Sequence, residues 1–315
     1  MRNVVLLVLD ALRYDHVTPE ITPNLVKIGE DGVFYTEALA VNTATVKSMP
    51  GILSSGLTYD PAENLATAFK ENGYTTAVFH SSPLVGRNFM AGFDISRDLH
   101  TQKGLRDRKI RRLARKFLPQ GVFDAVKGTY RRLMDEDTFL PYLRAPEVLG
   151  EASEWMKTAE KPYFVWIHLM EPHLPYYPLD SGGLSREDMI KLNDKLVDAA
   201  HRRYKPTDDE VAILKDLYRR DVHEMDQAIG DFYSSVKDDV LVVTSDHGDE
   251  FGEYGDFSHW EDKFIPCLQH IPLIVAGSEE RHVRKPGGSH LDISRLAFQI
   301  AGIDKKIGIW KGWKS

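Results

Sequence analysis

The sequence predicts an α/β fold with a mostly parallel central sheet and helices on both of its faces. Short apolar, β-branched runs alternate along the chain with stretches of helical periodicity, and this alternation is typical of parallel sheets. The runs are apolar nearly throughout, which indicates strands that are covered on both faces. The predicted strands are residues 4–9, 75–79, 163–169, 240–244 and 272–276.

Three helices are predicted between these strands. Two of them cover about residues 62–71 and 146–157. The third begins at Thr207, which forms a capping-box pattern with Glu210 three residues later. Apolar side chains then recur every three or four residues as far as Phe232, as expected for a helix with one buried stripe. The length suits one large α/β domain, and we expect residues 1–315 to form it.

The composition excludes several functional classes. The 315 residues carry a net charge of −7, with 42% hydrophobic and 28% charged residues, which is ordinary for a globular protein and predicts no nucleic-acid partner. One cysteine, Cys267, excludes an intramolecular disulfide framework, a Cys-rich zinc site and an iron–sulfur cluster. The first apolar run, 4–9, is far shorter than a membrane span or a signal peptide. A cytoplasmic location is therefore expected.

A basic helical insertion is predicted at about residues 101–145. Between residues 103 and 132, 11 Lys and Arg against two Asp give a local charge of +9, which leaves −16 for the rest of the chain. One interpretation is a solvated helical insertion. The other is a basic amphipathic surface that docks on anionic lipid, giving a membrane-peripheral protein, or on a polyanionic substrate.

Carboxylates and an imidazole follow two of the predicted strands. Asp10 comes directly after the first strand, and Asp246 and His247 follow the run 240–244 closely. Because the carboxyl ends of parallel strands share one edge of a sheet, these side chains are expected to meet there and to bind a divalent metal. Helix caps or turn residues are the alternative interpretation of such aspartates.

The order of several motifs is similar to that of the sulfatase branch of the alkaline phosphatase superfamily. The N-terminal motif ends in Asp10-Ala-Leu-Arg-Tyr-Asp-His16, and a later one begins Thr244-Ser-Asp-His-Gly-Asp249. The segments that carry the resemblance are 3–16, 22–25, 73–77, 165–173, 244–253, 257–259 and 289–292. The resemblance spans nearly the whole chain and implies an alkaline phosphatase-like fold, here with a reduced C-terminal subdomain.

The resemblance also implies a nucleophile where a loop opens a helix, within residues 42–53. The family pattern places Thr45 there, with Thr43 and Ser48 as rivals and Ser48 more consistent with a helix cap. A threonine alcohol needs activation, which direct coordination to a divalent metal supplies. The implied metal ligands are Asp10, Thr45, Asp246 and His247. Their oxygen and imidazole atoms suit at least one Mn, Zn or Ca ion.

Three further side chains complete the implied site. The resemblance places His173 against the transferred anion, and His259 as an acid for the leaving group or as a further metal ligand; surface-loop histidines are the alternative for both. Lys47 is a candidate for the positive charge that an arginine at position 49 supplies in sulfatases. His168 is expected to face the core edge of its strand.

Departures from the sulfatase pattern favour phosphorus esters over sulfate esters. Position 45 holds threonine where sulfatases have a cysteine that becomes formylglycine, and Ser81 and Ser82 lie where a sulfate-gripping element is expected. The predicted function is a metal-dependent hydrolase or transferase of phosphate or phosphonate esters, with diesters favoured and glycan- or lipid-linked esters as candidate substrates. The alternatives are a sulfuric ester hydrolase without formylglycine and a non-catalytic relative that binds polyanions.

Overall fold

An eight-stranded sheet is the core of the fold. The computed structural model describes residues 1–82, 84–99 and 140–312, so the basic segment 103–132 lies outside the described residues. The strands are β1 (Val4–Leu9), β2 (Gly32–Tyr35), β3 (Thr75–His80), β4 (Ile95–Asp98), β5 (Tyr163–Leu169), β6 (Val240–Ser245), β7 (Glu250–Phe251), β8 (Phe257–Ser258), β9 (Leu273–Ala276) and β10 (Val283–Lys285). Strands β7 and β8 form a separate small antiparallel pair.

The sheet is mostly parallel, as the sequence predicts. Its strand order is β10-β2-β9-β6-β1-β5-β3-β4. Strand β9 runs antiparallel to both of its neighbours, while every other neighbouring pair in this sheet is parallel. The five strands predicted from the sequence are confirmed, with bounds that differ by at most one residue. The short strands β2, β4 and β10 were not predicted.

Helices cover both faces of the sheet. They are α1 (Pro23–Glu30), α2 (Thr45–Ser54), α3 (Leu65–Glu71), α4 (Val85–Asn88), α5 (Ala145–Thr158), α6 (Arg186–Ala200), α7 (Asp208–Tyr233), α8 (Pro266–Gln269) and α9 (Ile293–Ala301). Single 3-10 turns form at Tyr14–His16, His290–Asp292 and Gly308–Gly312. None of the helices within the described part of the chain is both long and apolar enough to cross a bilayer.

Strand β1 shows why its sequence is apolar throughout. Val5 and Leu7 belong to the core that packs under α1, α5 and α7, and Val4 and Leu6 belong to the core under α2, α3 and α9. Successive side chains of a strand point to opposite faces, so both faces of β1 are buried. The fold prediction of a sheet with helices on both faces is thereby confirmed.

The longest described helix, α7, begins as its sequence predicts. The Thr207 side chain accepts a hydrogen bond from the amide of Glu210 (3.3 Å), and the Glu210 carboxylate accepts one from the amide of Thr207 (2.9 Å). The buried stripe, which includes Leu214, Tyr218 and Met225, packs on the core beneath the sheet. This helix supports the edge of the sheet where the polar strand ends converge, because the Tyr218 hydroxyl donates to the Ala11 carbonyl (2.8 Å).

Candidate metal centre and active site

The parallel register of β1 and β6 brings the two aspartates together. Leu9 pairs with Ser245 at the end of the ladder, so Asp10 and Asp246 leave the sheet side by side. The Ala11 amide donates to Asp246 Oδ1 (3.0 Å), and this contact ties the two strand ends to each other. Ala11 adopts φ +63°, a left-handed conformation that turns the chain away immediately after Asp10.

Asp10, Asp246 and His247 form a buried triad of acceptor atoms. His247 Nε2 lies 3.4 Å from Asp246 Oδ2 and 3.9 Å from Asp10 Oδ1. His247 Nδ1 faces the Gly248 carbonyl oxygen (2.8 Å), to which it donates, so the lone pair of Nε2 points toward the two carboxylates. The triad offers three ligand atoms that lie within 4.8 Å of one another.

These atoms fit a divalent cation. Asp10 Oδ1 and Asp246 Oδ2 are buried, and neither has a hydrogen-bond partner among the described residues. Buried carboxylate oxygens without a partner are costly unless a cation or a proton neutralises them. Two such oxygens and one imidazole lone pair, within 4.8 Å of one another, are a donor set that suits a divalent cation.

The charges around the triad keep Asp10 ionised. Burial alone would raise the pKa of Asp10, but His173, His168 and His247 together outweigh it and lower the pKa below its usual range. Burial would likewise lower the pKa of His247, yet Asp246 and Asp10 raise it. The surrounding groups thus shift the pKa values of both Asp10 and His247 in the direction that favours the charged form.

Thr45 is the hydroxyl that the fold brings to this triad. It is the first residue of α2 and is 5% exposed, and its Oγ1 lies 3.3 Å from His247 Nε2. The hydroxyls of its rivals bond elsewhere: Thr43 donates to the Trp260 carbonyl (2.5 Å) and Ser48 to the Asn42 carbonyl (2.7 Å). Of these three candidates, only Thr45 contacts the triad in the described structure.

Close packing at Gly51 positions α2 against Val41 and His290. A Cβ on Gly51 would lie 2.6 Å from Val41 Cγ2 and 2.9 Å from His290 Cβ, so glycine allows α2 to press against the segment that precedes it. His290 in turn lies at the end of β6, where its Nε2 is 2.8 Å from the Ser245 carbonyl oxygen. The helix, and Thr45 at its first turn, is therefore positioned against the strand that carries Asp246.

Two further histidines, His173 and His259, lie beside the triad. The ring of His259 lies 4.2 Å from that of His247 and 5.0 Å from that of His173, measured between centroids. His173 Nδ1 donates to the Leu174 carbonyl (2.6 Å), which leaves its Nε2 as the open nitrogen. His259 Nδ1 is 3.5 Å from Asp249 Oδ1. Burial and the neighbouring His247 lower the pKa of His259, and Asp249 opposes that shift.

Lys47 stands apart from the triad. Its side chain is 53% exposed, and its Nζ lies 3.9 Å from Glu261 Oε2. It lines a pocket of about 500 Å³ whose other lining residues include Asp10, Thr45, His173 and His259. The structure thus brings together Asp10, Thr45, Asp246, His247, His173 and His259, and places Lys47 at the rim.

Comparison with known proteins identifies the family of this chain. A family model described as Sulfatase matches residues 2–303. The chain belongs to the sulfatase family. Iduronate 2-sulfatase of Homo sapiens is 23% identical over 340 residues, which cover 86% of this chain and 59% of that protein. This sulfatase-family chain therefore spans about three-fifths of the length of the curated relatives it matches.

Solved structures share the fold of this sulfatase-family chain. Phosphonate monoester hydrolase of Agrobacterium radiobacter superposes with a TM-score of 0.65 at 16% identity, over 100% of this chain and 79% of that one. The C-terminal periplasmic domain of a phosphoethanolamine transferase from Campylobacter jejuni superposes with a TM-score of 0.66 at 15% identity, over 97% and 90%. The alkaline phosphatase-like fold that the sequence motifs imply is confirmed.

His168 has a role in the site that sequence reasoning did not assign. It was expected to face the core edge of β5, but its Nε2 lies 3.1 Å from Asp10 Oδ2 in a fully buried contact. The parallel register pairs His168 with Val8, two residues before Asp10 in the chain. A donor on Oδ2 orients the carboxylate and leaves Oδ1 directed at the triad, as partners of metal ligands commonly do.

Replacing His168 with leucine is expected to weaken metal binding by about 10- to 100-fold, because Asp10 loses the donor that orients it. Titration of the metal-free protein with Mn²⁺ measures this affinity. Trp166→Phe is the matched control, since Trp166 is buried in the same strand and its ring contacts His168. Equal affinities in His168→Leu and the control would contradict the positioning role.

Glu171 anchors the segment that carries His173. Glu171 is 5% exposed, and its carboxylate lies 4.0 Å from Nη1 of Arg144, the residue that precedes α5. Burial raises the pKa of Glu171 to about 8, although Arg144 opposes the shift. Burial and the charge of Glu171 also raise the pKa of Asp221, on the adjacent helix α7. The segment is thus held by a buried carboxyl that favours its protonated form.

The stability of the protein is expected to fall as the pH rises from about 5 to 8. The pKa of the Glu171 carboxyl is about 8 in the folded protein and has its ordinary value of 4.5 in the unfolded chain, so the unfolded state binds fewer protons in this window. Glu171→Gln is expected to remove about 1–3 kcal/mol of that fall, measured by urea unfolding at pH 5.5 and 8. Glu151→Gln, an exposed change in α5, is the control. A pH dependence identical in all three proteins would refute this.

Proposed function

We propose that this sulfatase-family protein is a metal-dependent hydrolase or transferase of phosphorus esters, with Thr45 as its nucleophile. The observation that carries the proposal is the contact of 3.3 Å between Thr45 Oγ1 and His247 Nε2, beside the buried carboxylates of Asp10 and Asp246. A hydroxyl on the first turn of a helix, facing three ligand atoms, is arranged to act as an alkoxide nucleophile.

Asp10, Asp246, His247 and Thr45 would hold the divalent cation, with Mn, Zn and Ca as the candidates. When bound, the cation lowers the pKa of a ligating alcohol and neutralises negative charge that develops on the transferred group. The chain's own contribution is the rigid placement of the ligands. His168 orients Asp10 (3.1 Å), and the Ala11 and His247 amides hold Asp246 Oδ1 (3.0 and 2.9 Å).

The proposed reaction has two displacements at phosphorus. The Thr45 hydroxyl gives its proton to solvent, its Oγ forms a bond to phosphorus, and the bond from phosphorus to the leaving alcohol oxygen breaks. The leaving oxygen takes a proton from His259, and the imidazolium form of His173, in which both ring nitrogens are donors, donates through Nε2 to a non-bridging oxygen. Water or an acceptor alcohol then attacks the Thr45 ester and loses its proton to His259. The bond from phosphorus to Thr45 Oγ1 breaks, and that oxygen regains a proton from solvent.

His259 can serve as the acid for the leaving group because two influences on its pKa oppose each other. Burial and His247 lower the pKa of His259, whereas Asp249 stabilises its protonated form. An anionic ester placed beside it favours the imidazolium further, so the acid forms when substrate binds. Lys47, at the rim, is the candidate for attracting the anion to the pocket.

Phosphorus esters, diesters above all, are favoured over sulfate esters by the site residues themselves. Position 45 carries a hydroxyl rather than the cysteine that sulfatases convert, and Ser81 and Ser82 line the pocket where the family resemblance implies a lysine and a histidine. The second candidate is sulfuric ester hydrolysis, which the family match and the likeness to iduronate 2-sulfatase favour. A membrane contact through residues 103–132 stays a prediction.

A parallel substrate panel tests this proposal. The purified protein is assayed with aryl phosphate mono- and diesters, an aryl phosphonate ester and an aryl sulfate, each with Mn²⁺, Zn²⁺ and Ca²⁺. We expect a phosphorus ester to be turned over fastest, and an aryl sulfate more than tenfold slower. Faster turnover of the sulfate would support the second candidate, and no metal-dependent turnover would support a binding protein for polyanions.

A further inference from the structure

Thr43 connects the loop that leads to Thr45 with the loop that carries His259. It lies two residues before Thr45 and is fully buried. Its hydroxyl donates to the carbonyl of Trp260 (2.5 Å) and accepts from the amide of Lys263 (3.1 Å). One hydroxyl therefore satisfies two backbone groups in the segment that directly follows His259.

Asn42 adds further hydrogen bonds to the same connection. Its Nδ2 donates to Asp262 Oδ1 (2.7 Å), and its Oδ1 accepts from the amides of Asp262 (3.3 Å) and Thr43 (2.8 Å). The Asn42 carbonyl accepts from Ser48 Oγ (2.7 Å), on the first turn of α2. The pair of Asn42 and Thr43 is thus bonded both to α2 and to the loop of the leaving-group acid.

The loop that carries His259 has a backbone conformation that needs such support. Ser258 and Asp262, on either side of His259, adopt φ +65° and +60°, left-handed values that residues other than glycine keep only where the surrounding structure holds them. The far end of the loop is held as well, because Lys263 Nζ donates to the buried carboxylate of Glu250 (2.6 Å). His259 therefore lies between fixed points.

The separation of these two loops matters for the proposed reaction. The attacking and leaving oxygens lie on opposite sides of phosphorus, so an acid on His259 can reach the leaving oxygen only at a set distance from Thr45 Oγ1. A displacement of about 1 Å from such a geometry can lower the rate about 100-fold. The hydrogen bonds of Asn42 and Thr43 span the gap that must stay constant.

We propose that Thr43 is a positioning residue, which holds His259 at the distance from Thr45 at which it protonates the leaving oxygen. The inference rests on the proposed function, because it takes Thr45 as the nucleophile and His259 as the acid. Thr43, a rival of Thr45 in the sequence, then acts through His259 rather than on phosphorus. Its loss is expected to impair departure of the leaving group more than attack at phosphorus.

The dependence of turnover on the leaving group tests this role. Thr43→Val removes the hydroxyl at nearly constant volume, and kcat/KM is measured for methyl aryl phosphates whose leaving groups run from 4-nitrophenol to phenol. A good leaving group needs little protonation, so we expect a loss below about threefold for the 4-nitrophenyl ester and of about 30-fold or more for the phenyl ester. Thr43→Ser keeps the hydroxyl and is expected to restore the wild-type dependence.

Thr76→Val is the matched control. Thr76 is also fully buried, and its hydroxyl likewise donates to a carbonyl, that of Gly92 (3.0 Å), and accepts from an amide, that of Asp94 (3.0 Å). This variant is expected to keep the wild-type dependence on the leaving group. An equal loss for both esters in Thr43→Val, or the same leaving-group dependence in Thr76→Val, would overturn the positioning role.

Asp262→Ala supplies a second variant, at an exposed position, in case Thr43→Val does not fold. It removes the acceptor of Asn42 Nδ2, so we expect a loss for the phenyl ester about fivefold greater than for the 4-nitrophenyl ester. Asp262→Asn retains a side-chain oxygen at this place and is expected to show no such difference. Equal losses for both esters in Asp262→Ala would count against the connection.

Hydrogen exchange distinguishes failure of this inference from failure of the proposed function. In Thr43→Val we expect amides of residues 42–48 and 258–264 to exchange about tenfold faster than in the wild type, because the two loops no longer hold each other. Unchanged exchange in 258–264 would overturn the inference, whether or not an ester is turned over. Faster exchange in both segments, with no phosphorus ester turned over by the wild type, would support the connection and refute the proposed function.

Discussion

Thr45→Ala is expected to lower the turnover of the best phosphorus ester by about 10³-fold or more, since removing a nucleophile typically costs at least this much. The fold is expected to survive. Thr45 is 5% exposed, and within the described part of the chain its hydroxyl contacts the side chain of His247. Its loss therefore removes no structural hydrogen bond of the kind that Thr43 and Ser48 make. Steady-state kinetics and thermal unfolding measure the two parts of this result.

Two variants make the result specific to Thr45. Thr45→Ser keeps a hydroxyl on the first turn of α2 and is expected to retain activity within about tenfold of the wild type. Ser48→Ala removes a buried hydroxyl from the same helix, one that donates to Asn42, and is expected to cost stability more than turnover. Mass spectrometry of acid-quenched protein should find the phosphoryl group on Thr45. Its presence on Thr43 or Ser48 would refute the assignment.

The sequence was sufficient for the central strands because each of them is buried on both faces. An uninterrupted apolar run such as Val4–Leu9 can be stable only inside such a sheet, and its neighbours in the ladder follow from the same pattern. Strand β2 could not be predicted in this way, since its four residues form a strand only by pairing with β9 and β10. Short strands of this kind depend on tertiary contacts that local sequence does not encode.

The candidate site likewise contains residues whose position could be predicted from the sequence and residues whose position could not. Asp10 and Asp246 could be predicted to meet because both end parallel strands, and their meeting needs only the topology of the sheet. His168 could not be assigned, since its contact with Asp10 requires the register of β5 against β1 and the direction in which one imidazole points. A one-residue change of register would move His168 to the opposite face. The residues that hold metal ligands in place are therefore harder to predict than the ligands themselves.

Asp246→Asn is expected to have opposite effects on the metal-free and the metal-loaded protein. Asp246 Oδ1 accepts from the amides of Ala11 and His247, and an asparagine oxygen can retain both bonds. Asp246 Oδ2 is buried with no partner among the described residues, close to the buried carboxylate of Asp10. The substitution removes one of two like charges that have little solvation. Metal-free Asp246→Asn is therefore expected to unfold at a higher temperature than the metal-free wild type.

In the presence of metal, we expect the wild type to unfold at a higher temperature than Asp246→Asn. The variant loses one anionic ligand, so its affinity for Mn²⁺ is expected to fall by about 100-fold or more, and ligand-linked stabilisation falls with it. Turnover should fall in parallel, because Thr45 is then no longer activated. Thermal unfolding in EDTA and in excess Mn²⁺ measures the difference in stability between the variant and the wild type in each state. The control is Asp262→Asn, at a residue whose side chain contacts Asn42 rather than the triad. A variant that is less stable than the wild type in EDTA would mean that Asp246 is a structural residue whose charge the fold satisfies without a cation.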